Sequence, residues 1–280
     1  RTISSAASDV YKRQNDDYLY AGYFEKDINR ATIDDLNNSE AIVIWSEDLK
    51  ENLPVLYLRV RQAVKNGAKL IVFGHSNSTL KDIADFYYSD DIVSENFEII
   101  KDISKLKGIK EHVKDKNVTA ILGKSTPYQL DENLDKLVSY LVENSNSKIM
   151  NAFSSGNTFG AINNLDNVKN LRDFTKNVSS ENTDLLFVVG SDPIGRSVFS
   201  NEIHRIIEDI DNVVCLDLFL HETSELGNYI IPTSSTLGEK EGTFTNIEFR
   251  TSRIDKLVPS PGQSLSDWEF ISGLSNFCNF

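Results

Sequence analysis

Cysteine is almost missing from this chain of 280 residues: Cys215 and Cys278 are the only two. Two thiols so far apart exclude a disulfide framework and the clustered spacing of a zinc or iron–sulfur site. Cys215 lies in the apolar run Val213–Leu216 and reads as a core thiol. Long apolar runs are missing too. The longest hold about five residues, as in Leu185–Val189, where a membrane-spanning helix needs ~20. The expectation is a chain with no span, attached to a membrane only through partners. Basic residues are outnumbered, 29 Lys and Arg against 42 Asp and Glu, for a net charge of −13. Such a chain repels phosphate backbones, which argues against nucleic acid as a partner.

Complete catalytic motifs are absent as well. The four histidines, His75, His112, His204 and His221, form no H-E-x-x-H, and His221-Glu222 alone is a weak signal. No G-x-S-x-G turn occurs. Gly123-Lys124-Ser125 supplies the end of a phosphate loop, but Val118 stands where its first glycine belongs and Pro127 follows too soon for a helix. No catalytic and no metal-ligating residue is assigned. The chain begins with Arg, and residues 1–14, RTISSAASDVYKRQ, show no periodicity and end in a string like a translated sequencing adapter. They are set aside as an artefactual extension expected to lack packed structure. The other end stops inside a helical pattern, Trp268–Phe280, so a fragment is expected.

What remains alternates between short apolar runs and helical patterns. Ala41–Trp45 reads as a strand. Val55, Leu56, Val60, Ala63 and Val64 recur at helical spacing before Gly67 in a C-cap position, and Leu70–Phe73 is a second strand. Strand, helix and strand in about 30 residues make a βαβ unit. The pattern returns with strand Val118–Leu122, an amphipathic helix at Asp131–Asn144, a short strand at Lys148–Met150, and strand Leu185–Val189. A helix with Ser197 as N-cap and strand Val213–Leu216 complete it. Apolar runs of this kind suit parallel strands buried on both faces. The fold expected is α/β, with parallel sheets flanked by helices. Tyr88–Lys116 reads as a polar connector. A boundary near Lys116 would give one α/β lobe over 15–116 and a second over 117–280 with a long polar C-terminal loop.

Two features carry ligand chemistry. The turn Gly190-Ser191-Asp192-Pro193 follows the most apolar strand, and open α/β sheets bind ligands at the carboxyl ends of strands. Glycine there lets a backbone approach a phosphate or base, and an Asp accepts from a guanine edge. A turn of this composition also forms with no ligand at all. The other feature is the stretch Phe219–Arg253, a strand, a short acidic helix start and a loop bearing Glu239, Gly242, Thr243, Asn246 and Arg250 with little apolar filler. Such a loop is either solvated or wrapped around something. Both being polar, glycine-bearing connectors, they are expected to lie together.

This stretch resembles the molybdopterin oxidoreductase family, where T-E-T-A, A-D-V-V-L-P and E-x-x-G-T-F-T-N-x-E-G-R follow in order. It is most similar to the large peripheral subunit of respiratory NADH:quinone oxidoreductase. The resemblance runs from about Ala31 to Phe280 and implies a multi-lobed molybdopterin-oxidoreductase-like architecture. It implies pterin-dinucleotide contacts, here vestigial, at Gly190, Asp192, Pro193, Glu239, Gly242 and Asn246. Ser154–Ala161 is similar to the family's N-x-x-G-A segment.

The departures from the family pattern argue against a bound cofactor. Where relatives end the first strand in G-x-N-P, this chain has Trp45-Ser46-Glu47-Asp48. D-P-R is replaced by Gly74-His75-Ser76, and E-G-R by Glu248-Phe249-Arg250. The expected role is a docking body, itself without cofactor, in an NADH:quinone oxidoreductase. Partner subunits would hold it at the inner face of the bacterial plasma membrane, with iron–sulfur clusters in a region not in this sequence. The alternative is a molybdenum or tungsten enzyme such as a formate dehydrogenase, binding molybdopterin guanine dinucleotide.

Overall fold

The computed structural model describes residues 28–45, 48–74, 78–89, 100–123, 131–153, 156–164, 171–179, 181–197, 199–236 and 238–278. The expectations for residues 1–14, Ser46-Glu47, His75-Ser76 and Lys124-Ser125 fall outside them. Contacts divide the chain into two units. The first takes the described residues up to Gly156 and adds Asn246–Arg250; the second takes Asn157–Thr245 and the residues from Thr251 onward.

In the first unit, β1 (Ala41–Trp45), β2 (Lys69–Gly74), β3 (Phe86–Ser89), β4 (Asn117–Leu122) and β5 (Asn146–Asn151) form one sheet. Its order is β3-β2-β1-β4-β5, with every pair parallel. The apolar runs predict this, since each strand must bury both faces. Val43, Trp45, Phe73, Ala120 and Leu122 face helices α3 (Lys107–His112) and α4 (Asp131–Asn144), where Ile109, Leu134, Leu137 and Leu141 are buried. Ile42, Ile44, Val72 and Ile121 face the other layer. There α1 (Leu49–Asn52) gives Leu49, and α2 (Pro54–Lys65) gives Leu56, Val60 and Ala63. Pro54 opens α2 at a position that needs no amide. Gly67 closes it at φ 110, a left-handed conformation glycine takes without strain.

The boundary expected at Lys116 is corrected by this sheet. β4 begins at Asn117 and pairs along its length with β1, so the lobe continues to Gly156. The reading failed because a doubly wound sheet returns to its first strand after a long excursion, which local composition does not reveal. The described part of the connector Tyr88–Lys116 holds the end of β3, a 3-10 turn at Ile100–Lys105 and α3. Tyr88 anchors it, stacking on Phe73 at 5.0 Å and accepting from the Gly108 amide at 3.1 Å.

The second unit holds α5 (Thr158–Asn164), α6 (Leu171–Asn177), β6 (Leu186–Val189), α7 (Pro193–Arg196), α8 (Ser200–Glu208) and β7 (Val213–Asp217). After them come α9 (Glu222–Glu225), β8 (Tyr229–Pro232), β9 (Gly242–Thr245), β10 (Thr251–Ile254) and α10 (Asp267–Cys278). β6, β7 and β8 pair in parallel in that order. Ile203 and Ile207 of α8 pack on Leu186, Val188, Val213 and Cys215. The helix expected to be capped by Ser197 starts later. Ser197 Oγ accepts from the Phe199 amide at 3.0 Å, and Phe199 takes the cap position. The long polar loop contains a hairpin, β9 antiparallel to β10, which its mostly exposed, weakly apolar strands had hidden. No helix among the described residues is long and apolar enough to cross a membrane.

Candidate functional site

The carboxyl ends of β6 and β7 bring together residues from three segments. Gly190, directly after β6, has φ 52, the left-handed region that favours glycine. Ser191 is 5 % exposed, and its Oγ finds no hydrogen-bond partner among the described residues. Asp192 caps α7, its Oδ1 accepting from the Gly195 amide at 3.1 Å and from the Thr223 hydroxyl at 2.8 Å. The same Thr223 Oγ1 accepts from the Ile194 amide at 3.0 Å, so α7 and α9 are tied through one buried side chain. Burial alone would push the Asp192 carboxyl up. The Thr223 and Gly195 donors, with His221 alongside, more than offset it and hold Asp192 below the ordinary carboxylate range.

His221 lies between two carboxylates. Its Nε2 is 3.0 Å from Asp217 Oδ2 and its Nδ1 is 3.3 Å from Asp192 Oδ1. The Ser224 amide donates to Nδ1 at 3.2 Å. With Nδ1 accepting from Ser224, Nε2 is the ring nitrogen placed to donate to Asp217. Nothing in the sequence pairs His221 with Asp192, 29 positions upstream, or promotes Asp217 and Thr223. The likeness of His221-Glu222-Thr223 to T-E-T was the available signal. Behind this set, Cys215 is 1 % exposed, as read from the sequence, and burial with Asp217 nearby pushes its thiol up to about 11.

The other sequence-derived candidates take part in local turns and elements. Pro193 is buried at the first position of α7. Glu239 Oε2 accepts from the Ser235 amide at 2.7 Å, closing its own loop. Gly242 opens β9 with open space where a Cβ would stand, so no close approach demands glycine there. Asn246 builds a turn, its Oδ1 accepting from the amides of Glu248 at 2.9 Å and Arg250 at 3.0 Å. The side-chain hydrogen bonds of the Gly190–Pro193 turn run to Gly195 and Thr223, and among the described residues none joins it to Glu239. Another pair of motif-like segments does meet. Asn157, at φ 59 before α5, accepts from the Thr245 amide through Oδ1 at 2.8 Å.

In the first unit the last rung of the sheet is Tyr88, Phe73, Trp45, Leu122 and Asn151, paired in register across all five strands. Trp45 is 2 % exposed and packs on Phe73 with ring centres 5.2 Å apart. Its Nε1, like Asn151 Nδ2, is buried without a partner among the described residues. Phe249 belongs to the same unit. It sits at φ 62, where a bulky residue is an outlier, with the Arg30 guanidinium 5.0 Å over its ring. Among the described residues no group of three or more His, Cys, Asp or Glu is placed to hold a metal.

Fold and turns together define an α/β protein whose parallel sheets end in polar or aromatic rims. Residues 5–277 match the model of the molybdopterin oxidoreductases, and the chain belongs to that family. A stretch of 97 residues, 35% of this chain, is 36% identical to an F420-dependent formate dehydrogenase 2 subunit alpha of Methanococcus maripaludis, and it covers 14% of that protein. A Bacillus subtilis assimilatory nitrate reductase catalytic subunit is 35% identical over 91 residues, 32% of this chain and 13% of its own length. In structure the chain is similar to the acetylene hydratase of Pelobacter acetylenicus, with a TM-score of 0.53 and 13% identity. The match covers 88% of this chain and 48% of that one. The matched stretches thus span a small part of these curated relatives and about half of the structural neighbour.

Proposed function

We propose that this chain is part of the large subunit of a molybdenum- or tungsten-pterin oxidoreductase of the formate dehydrogenase kind, and that its second unit holds the nucleotide end of the cofactor. The relatives' names support the substrate class, a small oxidisable molecule such as formate. The observation that carries the site is the buried Ser191 hydroxyl without a partner, between Gly190 and Asp192 at the end of β6. An unpaired buried hydroxyl costs about 1–3 kcal/mol, which a ribose or phosphate oxygen here would relieve. Gly190 lets that group approach the backbone. Asp192 and Asp217 are acceptors only, and the guanine edge offers two N–H donors where adenine offers one. Thr223 and His221 fix the two carboxylates in place. When bound, such a cofactor supplies two-electron oxidation and reduction at its metal. The chain's own residues contribute the grip on its nucleotide.

A second reading has support of its own in the first unit. Trp45 and Phe249 add bulk where cofactor-binding relatives have glycine. That favours a docking body within an NADH:quinone oxidoreductase, held by partner subunits, with iron–sulfur clusters carried elsewhere. Calorimetric titration of the chain with guanosine diphosphate separates the two. Binding with a dissociation constant below about 1 mM supports the first reading. No heat of binding at several-fold higher concentration moves support to the second.

A further inference from the structure

The outward face of α2 in the first unit runs against the charge of the chain. Pro54–Lys65 contains no Asp or Glu, and its Arg59, Arg61 and Lys65 are all exposed. Among the described residues none of these three cations is paired with a carboxylate. The chain as a whole carries −13. The same helix exposes two large apolar side chains, Val55 at 66 % and Leu58 at 58 %. We propose that this face docks an acidic protein surface, in a short-lived contact centred on Leu58.

Helical geometry sets the arrangement. Leu56, Val60 and Ala63 are buried against the sheet, and at about 100° per residue the direction opposite them is that of Leu58. Val55 and Arg59 stand on one flank of Leu58 and Arg61 on the other, with Lys65 two turns on and nearly in line. The result is an apolar centre with a cationic rim, the anatomy of a non-obligate protein interface. The helix dipole accounts for a cation at Lys65, in the last turn. It does not account for an exposed leucine with guanidinium groups on both flanks. Two apolar side chains among Val55, Leu58, Arg59, Arg61, Gln62 and Lys65 are too few for a permanently buried face, which is more apolar.

Carboxylates and lipid phosphates both suit these cations. An anionic bilayer is a plane of negative charge that faces the whole chain, and −13 opposes it. A protein can confine its carboxylates to the area opposite α2. The helix is about 18 Å long and about 10 Å wide, so it presents roughly 200 Å². A stable complex buries ~800 Å² per partner, so the contact is of micromolar or weaker affinity.

The probe is a fluorescein-labelled helical peptide of leucine and glutamate with its leucines on one face. It is titrated into the wild-type chain by fluorescence anisotropy in about 20 mM salt, where surface charges are weakly screened. Saturable binding is expected, weakened by about 200 mM salt. Arg61→Gln combined with Lys65→Gln should weaken it about fivefold or more. Leu58→Ser should also weaken it. These side chains are exposed, so the circular dichroism of both variants should match wild type. Lys107→Gln combined with Lys110→Gln should leave binding unchanged, because α3 exposes its lysines with no large apolar side chain beside them. Absence of binding, no loss in the α2 variants, or an equal loss in the α3 variant would overturn the proposal. Sedimentation with phosphatidylglycerol vesicles is the parallel arm. Vesicle binding that the α2 variants abolish would assign the face to an anionic membrane and overturn the protein reading.

Discussion

Replacing Trp45 by Phe should leave the stability of the first unit within about 1 kcal/mol of wild type, whereas Trp45→Ala should cost about 3–5 kcal/mol. The indole is 2 % exposed and its Nε1 has no partner among the described residues. A buried donor left unpaired costs about 1–3 kcal/mol, and phenylalanine removes that donor. Against this gain, the smaller ring gives up roughly three ring atoms of apolar contact, worth about 2 kcal/mol at ~0.8 per methylene-sized group. The two terms nearly cancel. Alanine forfeits the whole ring, including its contact with Phe73 at 5.2 Å, and leaves a cavity in the middle of the rung. Urea denaturation followed by far-ultraviolet circular dichroism measures both variants. If Trp45→Phe lost as much as Trp45→Ala, the indole N–H would have to be making a bond that stabilises the fold, and the reading of an unpaired buried donor would be wrong.

Phe249→Asn should destabilise the first unit by about 1 kcal/mol. Asn tolerates the left-handed conformation and relieves about 1–2 kcal/mol of strain, but the ring contact with Arg30 and its packing are lost. A rise in the urea midpoint would show that the strain outweighs the stack. In the native chain at pH 8, one thiol should react rapidly with a disulfide reagent and two should react in denaturant. Cys278 is exposed, while Cys215 is buried with its thiol pushed up to about 11. Two fast thiols in the native state would place Cys215 outside the core.

The strands were legible because burial on both faces leaves runs with almost no polar residue. Ala41–Trp45 is buried at every position, and its five apolar residues say so without any partner in view. The partnering was not legible. β4 pairs with β1 across a gap of some seventy residues, and neither strand's composition names the other. The hairpin β9–β10 escaped for the opposite reason: its strands are mostly exposed, so no alternation marks them. A polar sequence can read as a loop when its backbone is paired.

The candidate site divides along the same line. Gly190 and Asp192 were readable because a glycine-bearing turn after an apolar strand is a local pattern. Their partners are contributed by residues up to 31 positions away: Thr223 reaches the Asp192 carboxylate at 2.8 Å. His221 looked isolated because a lone histidine acquires meaning only from the carboxylates beside it. Those carboxylates arrive from two different strand ends, β6 and β7, which only the parallel pairing of Val189 with Leu216 makes neighbours. Glu239 and Asn246 are bound locally. Both are acceptors in a polar stretch, and in the fold each accepts amides of its own loop or turn. A polar side chain that closes its own turn and one that waits for a ligand look alike in sequence. What separates them here is whether the donors are supplied by the chain. Ser191 is the residue of this site for which no partner is supplied among the described residues, and so the functional reading rests on it.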